Sequence, residues 1–256
     1  MSALEVYRKT RKIPDLFWNA YVCRPVAAVL VDAVKNTRIT PNQITLSAVL
    51  VALVSAALLI VWPGHAGLIV AAVVFELSYV LDCADGMLAR WRAIASPAGH
   101  LLDFLMDELK AFCILAAVAV RLFQEQRDPR WLLLGLFGLV ALASGIALTT
   151  FIRRPEIVAP KPPSRAPAEG PRPAADGSAS APPTAALPSA ENSRSLVRRA
   201  LGLVESGAKF VIHYPSYILV VALIGRAELY FLPYVAVNAL YAARAFAGVA
   251  WRFGRS

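Results

Sequence analysis

Long runs of apolar residues dominate the sequence, and short polar stretches separate them. A membrane-spanning helix needs about 20 largely apolar residues in a row, and six segments of the chain fit that length. They lie near residues 43–62, 67–89, 100–122, 131–152, 209–226 and 229–249. The pattern predicts an all-α polytopic membrane protein with six transmembrane helices.

The residues before the first apolar segment follow a different pattern. Between residues 4 and 38, apolar side chains such as Leu16, Phe17 and Tyr21 are interleaved with arginines and lysines. A basic, amphipathic helix of this kind lies in the headgroup plane of a membrane. We therefore expect residues 1–42 to be an N-terminal interfacial segment built on an amphipathic helix. A soluble terminal helix packed on loops is the alternative.

A second change in composition divides the chain. Ten of the eighteen prolines fall between residues 155 and 188, with Ala, Ser and Gly between them. Such a sequence cannot bury enough apolar surface to form a core. We expect residues 155–193 to be a disordered cytoplasmic linker. It would join transmembrane helices 1–4, in residues 43–154, to helices 5–6, in residues 194–256.

The distribution of charge predicts the orientation in the membrane. The chain has 26 Lys and Arg against 17 Asp and Glu, a net charge of +9. Most of these cations lie in the N-terminal segment, the 90–98 loop, the linker and the C-terminus, and basic loops stay on the cytoplasmic side. We expect both termini to be cytoplasmic, in a multi-pass protein of a bacterial cytoplasmic membrane. A basic surface beside anionic lipid explains the charge without a nucleic-acid partner.

Four aspartates interrupt two of the apolar segments: Asp82, Asp85, Asp103 and Asp107. A carboxylate at membrane depth costs about 2.5–3.5 kcal/mol, so it is usually functional and paired. Residues three or four apart share one helix face, so two such faces could bring the four carboxylates together. A cluster of oxygen ligands favours Mg²⁺, Mn²⁺ or Ca²⁺ over zinc or copper. Helix termination at the membrane surface is the alternative.

The spacing of these aspartates resembles a known family signature. From Asp82 to Asp107 the chain reads D-x-x-D-G-x-x-A-R, eight residues, then G-x-x-x-D-x-x-x-D. This matches all eight fixed positions of the signature of the class I CDP-alcohol phosphatidyltransferases. The segment 40–45, at the start of the first apolar run, is similar to a second element of that family. A spaced match of this length is far more specific than an isolated D-x-x-D.

The resemblance implies a metal-dependent transferase of phospholipid biosynthesis. Such an enzyme moves a substituted phosphate from a CDP-linked donor, here expected to be CDP-diacylglycerol, to an alcohol acceptor and releases CMP. The resemblance implies that two Mg²⁺ or Mn²⁺ ions are held by Asp82, Asp85, Asp103 and Asp107. It also implies that Asp107 accepts the proton of the acceptor hydroxyl, and that the protein is a homodimer.

The resemblance further implies which residues contact the substrates. Donor contacts are expected from Asn42, Thr45, Gly86, Ala89, Arg90, Ser96 and Gly99. For Asn42, a simple helix N-terminus is the alternative. Candidate acceptor contacts are Lys110, Arg153 and Arg154. An ion pair with Asp107 is the preferred interpretation of Lys110, and arginines at a span end commonly mark only the cytoplasmic boundary.

Two alternative functions stay open on the sequence alone. A divalent-cation transporter or channel could use the same aspartates as a transit site, although that function does not explain Arg90 or the two glycines of the signature. Within the family, the enzyme could instead transfer a CDP-activated head group to diacylglycerol or to an inositol phosphate. The pattern of residues does not identify the acceptor.

Overall fold

The computed structural model describes residues 2–12, 15, 18–154 and 215–254. These residues are helical, and they contain no strand. The helices are α1 (Ala3–Thr10), α2 (Arg24–Val34), α3 (Pro41–Val61), α4 (His65–Trp91), α5 (Pro97–Gln126), α6 (Arg130–Ile152), α7 (Pro215–Ile224) and α8 (Glu228–Phe253). A π-helical turn, Asn19–Cys23, leads into α2. The predicted linker at 155–193 lies outside the described residues.

The helices agree in part with the predicted membrane spans. Three of them, α3, α4 and α6, are long and apolar enough to cross a membrane. Helices α5 and α8, with 30 and 26 residues, exceed the length of a span but are not among those three. Ten residues of α7 are described. The all-helical fold is therefore confirmed for the described residues, whereas six spans stay a prediction.

The local sequence explains where α3 and α5 begin. Thr40 caps α3 because its side chain accepts a hydrogen bond from the Gln43 backbone amide. The Gln43 side-chain oxygen in turn accepts a hydrogen bond from the Thr40 backbone amide. Ser96 caps α5 by accepting from the Gly99 amide at 3.1 Å. A proline follows each cap, where its missing N–H costs nothing. Short turns make α4 antiparallel to both α3 and α5, and α3 packs against both of them, so the starts of α3 and α5 lie on the same side of the bundle as the end of α4.

Small residues bring α3 and α4 close together. Ser55 of α3 donates to the Ala71 carbonyl at 2.7 Å, and Ser78 of α4 donates to the Ala48 carbonyl at 2.7 Å. All four residues are buried. Small side chains allow close backbone approach, and hydroxyl bonds across the interface set the register. This pairing fixes the position of the first turn of α3 against the last turns of α4.

The N-terminal segment differs from the single interfacial helix that the sequence pattern predicts. It forms two helices, and both pack on α4. Val6 of α1 and Val31 of α2 are fully buried, in one apolar cluster with Met87 of α4. The break between the two helices follows Thr10, because Arg11 has an extended backbone. The segment therefore covers the end of α4 on which the signature lies.

A buried arginine joins the opposite ends of α3, α4 and α5. Arg121 is 1% exposed. Its guanidinium donates to the backbone carbonyls of Leu59 at 3.3 Å, Trp62 at 3.1 Å and Gly64. It also pairs with Glu125 at 2.7 Å. Arg121 thus satisfies carbonyls at the end of α3 that the helix itself leaves without partners.

Replacing Arg121 with methionine should destabilise the protein. The substitution leaves the carbonyl of buried Leu59 without its donor and removes the bonds to Trp62 and Gly64, which lowers the free energy of unfolding by about 1–3 kcal/mol. The measurement is the midpoint of thermal unfolding in detergent. Arg130→Met is the matched control, because the Arg130 side chain is 85% exposed. Equal midpoints for the two variants would contradict a stabilising role of Arg121.

Candidate active site

Three aspartate side chains converge where α4 ends and α5 begins. Carboxylate oxygens of Asp82, Asp85 and Asp103 all lie within 4.8 Å of one another. The last three turns of α4 present the first two side chains on one face, and antiparallel α5 presents the third. One buried oxygen of Asp103 has no hydrogen-bond partner in the described part of the chain. Three close carboxylates and an unsatisfied oxygen fit a hard divalent cation.

Helix α3 contributes to the same group through Thr45. The Thr45 hydroxyl donates a hydrogen bond to the carboxylate of Asp85, and Asp85 is only 5% exposed. Thr45 lies one turn into α3, within reach of α4 because the two helices approach closely. The bond holds one carboxylate oxygen of Asp85, so the orientation of this carboxylate is set by α3. Thr45 was expected among the donor contacts, and here it also supports a candidate metal ligand.

Asp107 does not join the three-carboxylate group. It lies one turn further along α5, where Lys110 Nζ contacts its carboxylate at 2.6 Å. The same ammonium contacts Asp82. The structure therefore brings together three of the four predicted metal ligands and places a lysine between Asp107 and the group. The pair of Lys110 with Asp107 was the preferred interpretation of the sequence, but the bond to Asp82 was not foreseen.

A cavity of about 410 Å³ opens beside the three carboxylates. Asp85 and Asp103 line it, and so do all seven residues expected to contact the donor: Asn42, Thr45, Gly86, Ala89, Arg90, Ser96 and Gly99. These residues come from three different elements, the start of α3, the end of α4 and the start of α5. Their role in donor binding stays a prediction, but the structure places them around one space of ligand size.

The N-terminal helix and a glycine position Arg90 in this cavity. Arg90 Nε donates to the Thr10 carbonyl, at the end of α1, at 2.9 Å. A Cβ atom at Gly86 would lie 3.3 Å from Arg90 Nη1. The glycine therefore leaves room for the guanidinium to lie over α4. The N–H groups that do not bind Thr10 are then available to an anion in the cavity.

Two of the predicted donor contacts also have local structural roles. Asn42 follows Pro41 in the capped first turn of α3, so the helix N-terminus expected as its alternative is present. The Ser96 hydroxyl oxygen accepts a hydrogen bond from the Gly99 amide and so caps α5. Both still line the cavity. A capped helix N-terminus at the edge of the cavity favours negative charge there.

The sequence pattern missed several residues of this region. Lys12 and His100 line the cavity together with the predicted contacts. Arg92 donates to four backbone carbonyls of the turn between α2 and α3, at 2.6–3.3 Å, those of Val34, Lys35, Thr37 and Ile39. It thereby ties the start of α3 to the end of α4. The family signature has one fixed arginine, Arg90, and it does not include Arg92.

The predicted acceptor contacts lie in different places. Lys110 is 3% exposed and engaged by two aspartates. Arg153, at the end of α6, lines a second cavity of about 330 Å³, together with Arg244 of α8. Neither Arg153 nor Arg154 lines the cavity beside the carboxylates. The structure thus does not unite the three residues into one acceptor site.

Comparison with known proteins points to one family. The family model for CDP-alcohol phosphatidyltransferase matches residues 38–170, which include the signature and the start of α3. A "Bifunctional IPC transferase and DIPP synthase" of Aquifex aeolicus is 28% identical over 125 residues, 49% of this chain and 27% of the relative. A protein of the same description from Thermococcus kodakarensis is 30% identical over 122 residues, 48% of this chain and 25% of the relative.

The family match covers the part of the protein that holds the site. The chain spans about a quarter of the length of these curated relatives. The family match is broader, because it extends over slightly more than half of the chain. It contains every residue that contributes to the three-carboxylate group and all seven predicted donor contacts. The chain belongs to the CDP-alcohol phosphatidyltransferase family.

Proposed function

We propose that this protein is an integral membrane enzyme that moves a substituted phosphate from a CDP-linked donor to an alcohol acceptor and releases CMP. One observation carries the proposal. Asp85 and Asp103 belong both to the three-carboxylate group and to the wall of the cavity that the predicted donor contacts line. A metal at the carboxylates would therefore be adjacent to a nucleotide in the cavity.

The candidate metal ligands are Asp82, Asp85 and Asp103, and the family signature adds Asp107 and a second ion. Divalent ions supply charge neutralisation of the donor phosphates and act as Lewis acids when bound. The unpartnered oxygen of Asp103 supports this assignment. We expect Mg²⁺ or Mn²⁺, because the ligands are all carboxylate oxygens.

Arg90 is the candidate contact for the donor phosphates. Its planar guanidinium can bind two phosphate oxygens at once, which a lysine cannot do. The Thr10 carbonyl accepts a hydrogen bond from its Nε, which restrains the side chain at the cavity wall and leaves the two terminal nitrogens for phosphate. Lys12 adds a second positive charge to the cavity wall. The cavity thus combines cations for phosphate with the helix N-terminus at Asn42.

Asp107 is the candidate base for the acceptor hydroxyl. Its side chain is 49% exposed, so an acceptor can reach it. The group lies one helical turn from Asp103 and on the same face of α5, which places the base beside the candidate metal ligands. Lys110 Nζ, 2.6 Å away, holds this carboxylate in position.

CDP-diacylglycerol is the donor that we propose first, in phospholipid biosynthesis. The apolar helices around the site support a lipid-linked substrate, because α3 and α4 are long and apolar enough to lie in a bilayer. We further propose six spans, a cytoplasmic site with cytoplasmic termini, and a homodimer. The acceptor could be glycerol phosphate, inositol phosphate, serine or choline. A transfer of a CDP-activated head group to diacylglycerol is the second possibility within the family.

Metal removal tests the proposal. The purified protein is reconstituted with CDP-diacylglycerol and each acceptor in turn, or with diacylglycerol and CDP-choline, and CMP release is measured. We expect no CMP in the presence of a chelator and recovery on addition of Mg²⁺ or Mn²⁺. Full release from metal-free protein would contradict metal dependence. Absence of CMP with every donor and acceptor pair would contradict the transferase itself.

A further inference from the structure

A buried lysine lies between two of the four signature aspartates. Lys110 is 3% exposed, and its Nζ contacts Asp107 at 2.6 Å and also contacts Asp82. Asp107 is three residues before Lys110 on α5, whereas Asp82 comes from α4. The ammonium therefore joins the two helices at the level of the site. A spaced family signature says nothing about this position, because Lys110 lies beyond its last aspartate.

Lys110 divides the four carboxylates into two unequal places for a cation. Asp82, Asp85 and Asp103 are close enough to share one ion. Asp107 is outside this group and shares the ammonium with Asp82. The described residues give Lys110 no ion pair with Asp85 or Asp103. The ammonium therefore contacts one of the three carboxylates of the first place but both carboxylates of the second, so its positive charge opposes a cation more strongly at the second place.

Separating the Lys110 ammonium from its two carboxylates would cost a large free energy. A buried lysine that loses its partners becomes an uncompensated charge in apolar surroundings, which strongly destabilises a protein. At 3% exposure, Lys110 has almost no access to water that could replace them. A divalent ion that bound Asp82 and Asp107 together would also meet the ammonium at contact distance, where like charges repel strongly.

We propose that Lys110 makes the two metal positions of this protein unequal. One divalent ion binds tightly to Asp82, Asp85 and Asp103, and the second, between Asp82 and Asp107, binds at least about tenfold more weakly because it competes with the ammonium. The inference rests on the proposed function, since it takes the three-carboxylate group as a metal site. It adds that the donor, with its own negative charge, helps to recruit the second ion.

Titration with Mn²⁺ tests this inference without any measurement of activity. Free Mn²⁺ is followed by electron paramagnetic resonance in the purified full-length chain in detergent. We expect the unmodified protein to bind one ion tightly and a second at least about tenfold more weakly. Lys110→Met removes the charge and keeps much of the apolar stem. It should strengthen the second binding event by at least about tenfold and the first one by a smaller factor, because the ammonium contacts only one of the three carboxylates of the first place.

A matched control and two further variants keep the outcome clear. Lys35→Met removes a lysine that pairs with Asp32 in α2, and it should leave both affinities unchanged. Asp107→Asn should abolish the weak event and retain the tight one. Lys110→Gln is a polar alternative if the methionine variant does not fold.

Two results would overturn the inference. Two ions of equal affinity in the unmodified protein would show that Lys110 does not separate the positions. An unchanged affinity for the second Mn²⁺ ion in folded Lys110→Met, or in Lys110→Gln, would also show that Lys110 does not separate the positions. Either result leaves the transferase intact if CMP is still released. By contrast, absence of any Mn²⁺ binding together with metal-independent CMP release would remove the proposed metal site as well.

Discussion

Replacing Asp85 with asparagine should reduce CMP release by about 10³-fold or more, which corresponds to about 4 kcal/mol of lost transition-state stabilisation. Asp85 is 5% exposed and is one of three carboxylates within 4.8 Å of one another. An amide carries no negative charge to balance a divalent ion. The substitution also weakens the bond from the Thr45 hydroxyl, which now meets a neutral partner. The measurements are CMP release and Mn²⁺ affinity.

The matched control for this prediction is Asp32→Asn. Asp32 pairs with Lys35 in α2 and lies outside both the three-carboxylate group and the cavity. The control makes the same chemical change, so it separates loss of the site from a general effect of removing one charge. CMP release in Asp85→Asn within about tenfold of the unmodified protein, with Mn²⁺ affinity unchanged, would show that Asp85 is not a metal ligand.

The convergence of three aspartates could be predicted from the sequence because it depends on helix periodicity. Asp82 and Asp85 share one face of any helix that contains both. The short connection between α4 and α5 reverses the direction of the chain, so Asp103, early in α5, lies near the end of α4. Neither step needs the detailed packing of side chains. The N-terminus of α3 was expected at Asn42 on local grounds, since a proline is favoured in the first turn of a helix.

The position of Asp107 relative to that group could not be predicted in this way. Periodicity places Asp107 and Lys110 on the same side of α5 as Asp103. It does not say how far along α4 the facing side chains reach. Helices α4 and α5 both pack on α3, and the position that each helix takes on α3 decides whether Lys110 reaches Asp82. The pattern therefore suggests four equal ligands, while the structure distinguishes Asp107 from the other three.

Arg92 and Arg121 show a second limit of the pattern. Both arginines donate to backbone carbonyls at the ends of neighbouring helices. Every residue has a backbone carbonyl, so the sequence does not show which carbonyls accept these hydrogen bonds. The two could be counted only as basic loop residues, although Arg121 is buried in the interior of α5. The bond from Arg90 to the Thr10 carbonyl escaped prediction for the same reason.

The number of spans illustrates a third limit. Apolar runs locate helices well, and every predicted span with described residues overlaps a helix. Hydropathy alone does not show whether α5 and α8 cross the membrane, because α5 carries the site aspartates and α8 carries Arg244 and Arg252. Polar groups that face other helices lower the hydropathy of a segment without keeping it out of the membrane. Six spans therefore need a topology measurement.

The second large effect concerns Arg90, which separates the transferase from a cation transporter. Replacing it with lysine keeps the charge but loses bidentate phosphate binding. We expect the donor to bind about tenfold more weakly to Arg90→Lys, and about 10²-fold more weakly to Arg90→Ala, since a charge-assisted hydrogen bond contributes about 1.5–3 kcal/mol. CMP release at low donor concentration should fall in parallel. The measurements are donor affinity and CMP release.

A cation pathway predicts the opposite sign for the same two variants. A positive charge beside three carboxylates repels a passing divalent ion, so its removal in Arg90→Ala should speed Mn²⁺ entry into liposomes. Arg8→Lys is the control, because Arg8 is an exposed residue of α1 that does not line the cavity. Faster Mn²⁺ uptake in Arg90→Ala, with no CMP released by any of the proteins, would establish a transport function. Weaker donor binding with no Mn²⁺ flux is the result that the position of Arg90 over Gly86 leads us to expect.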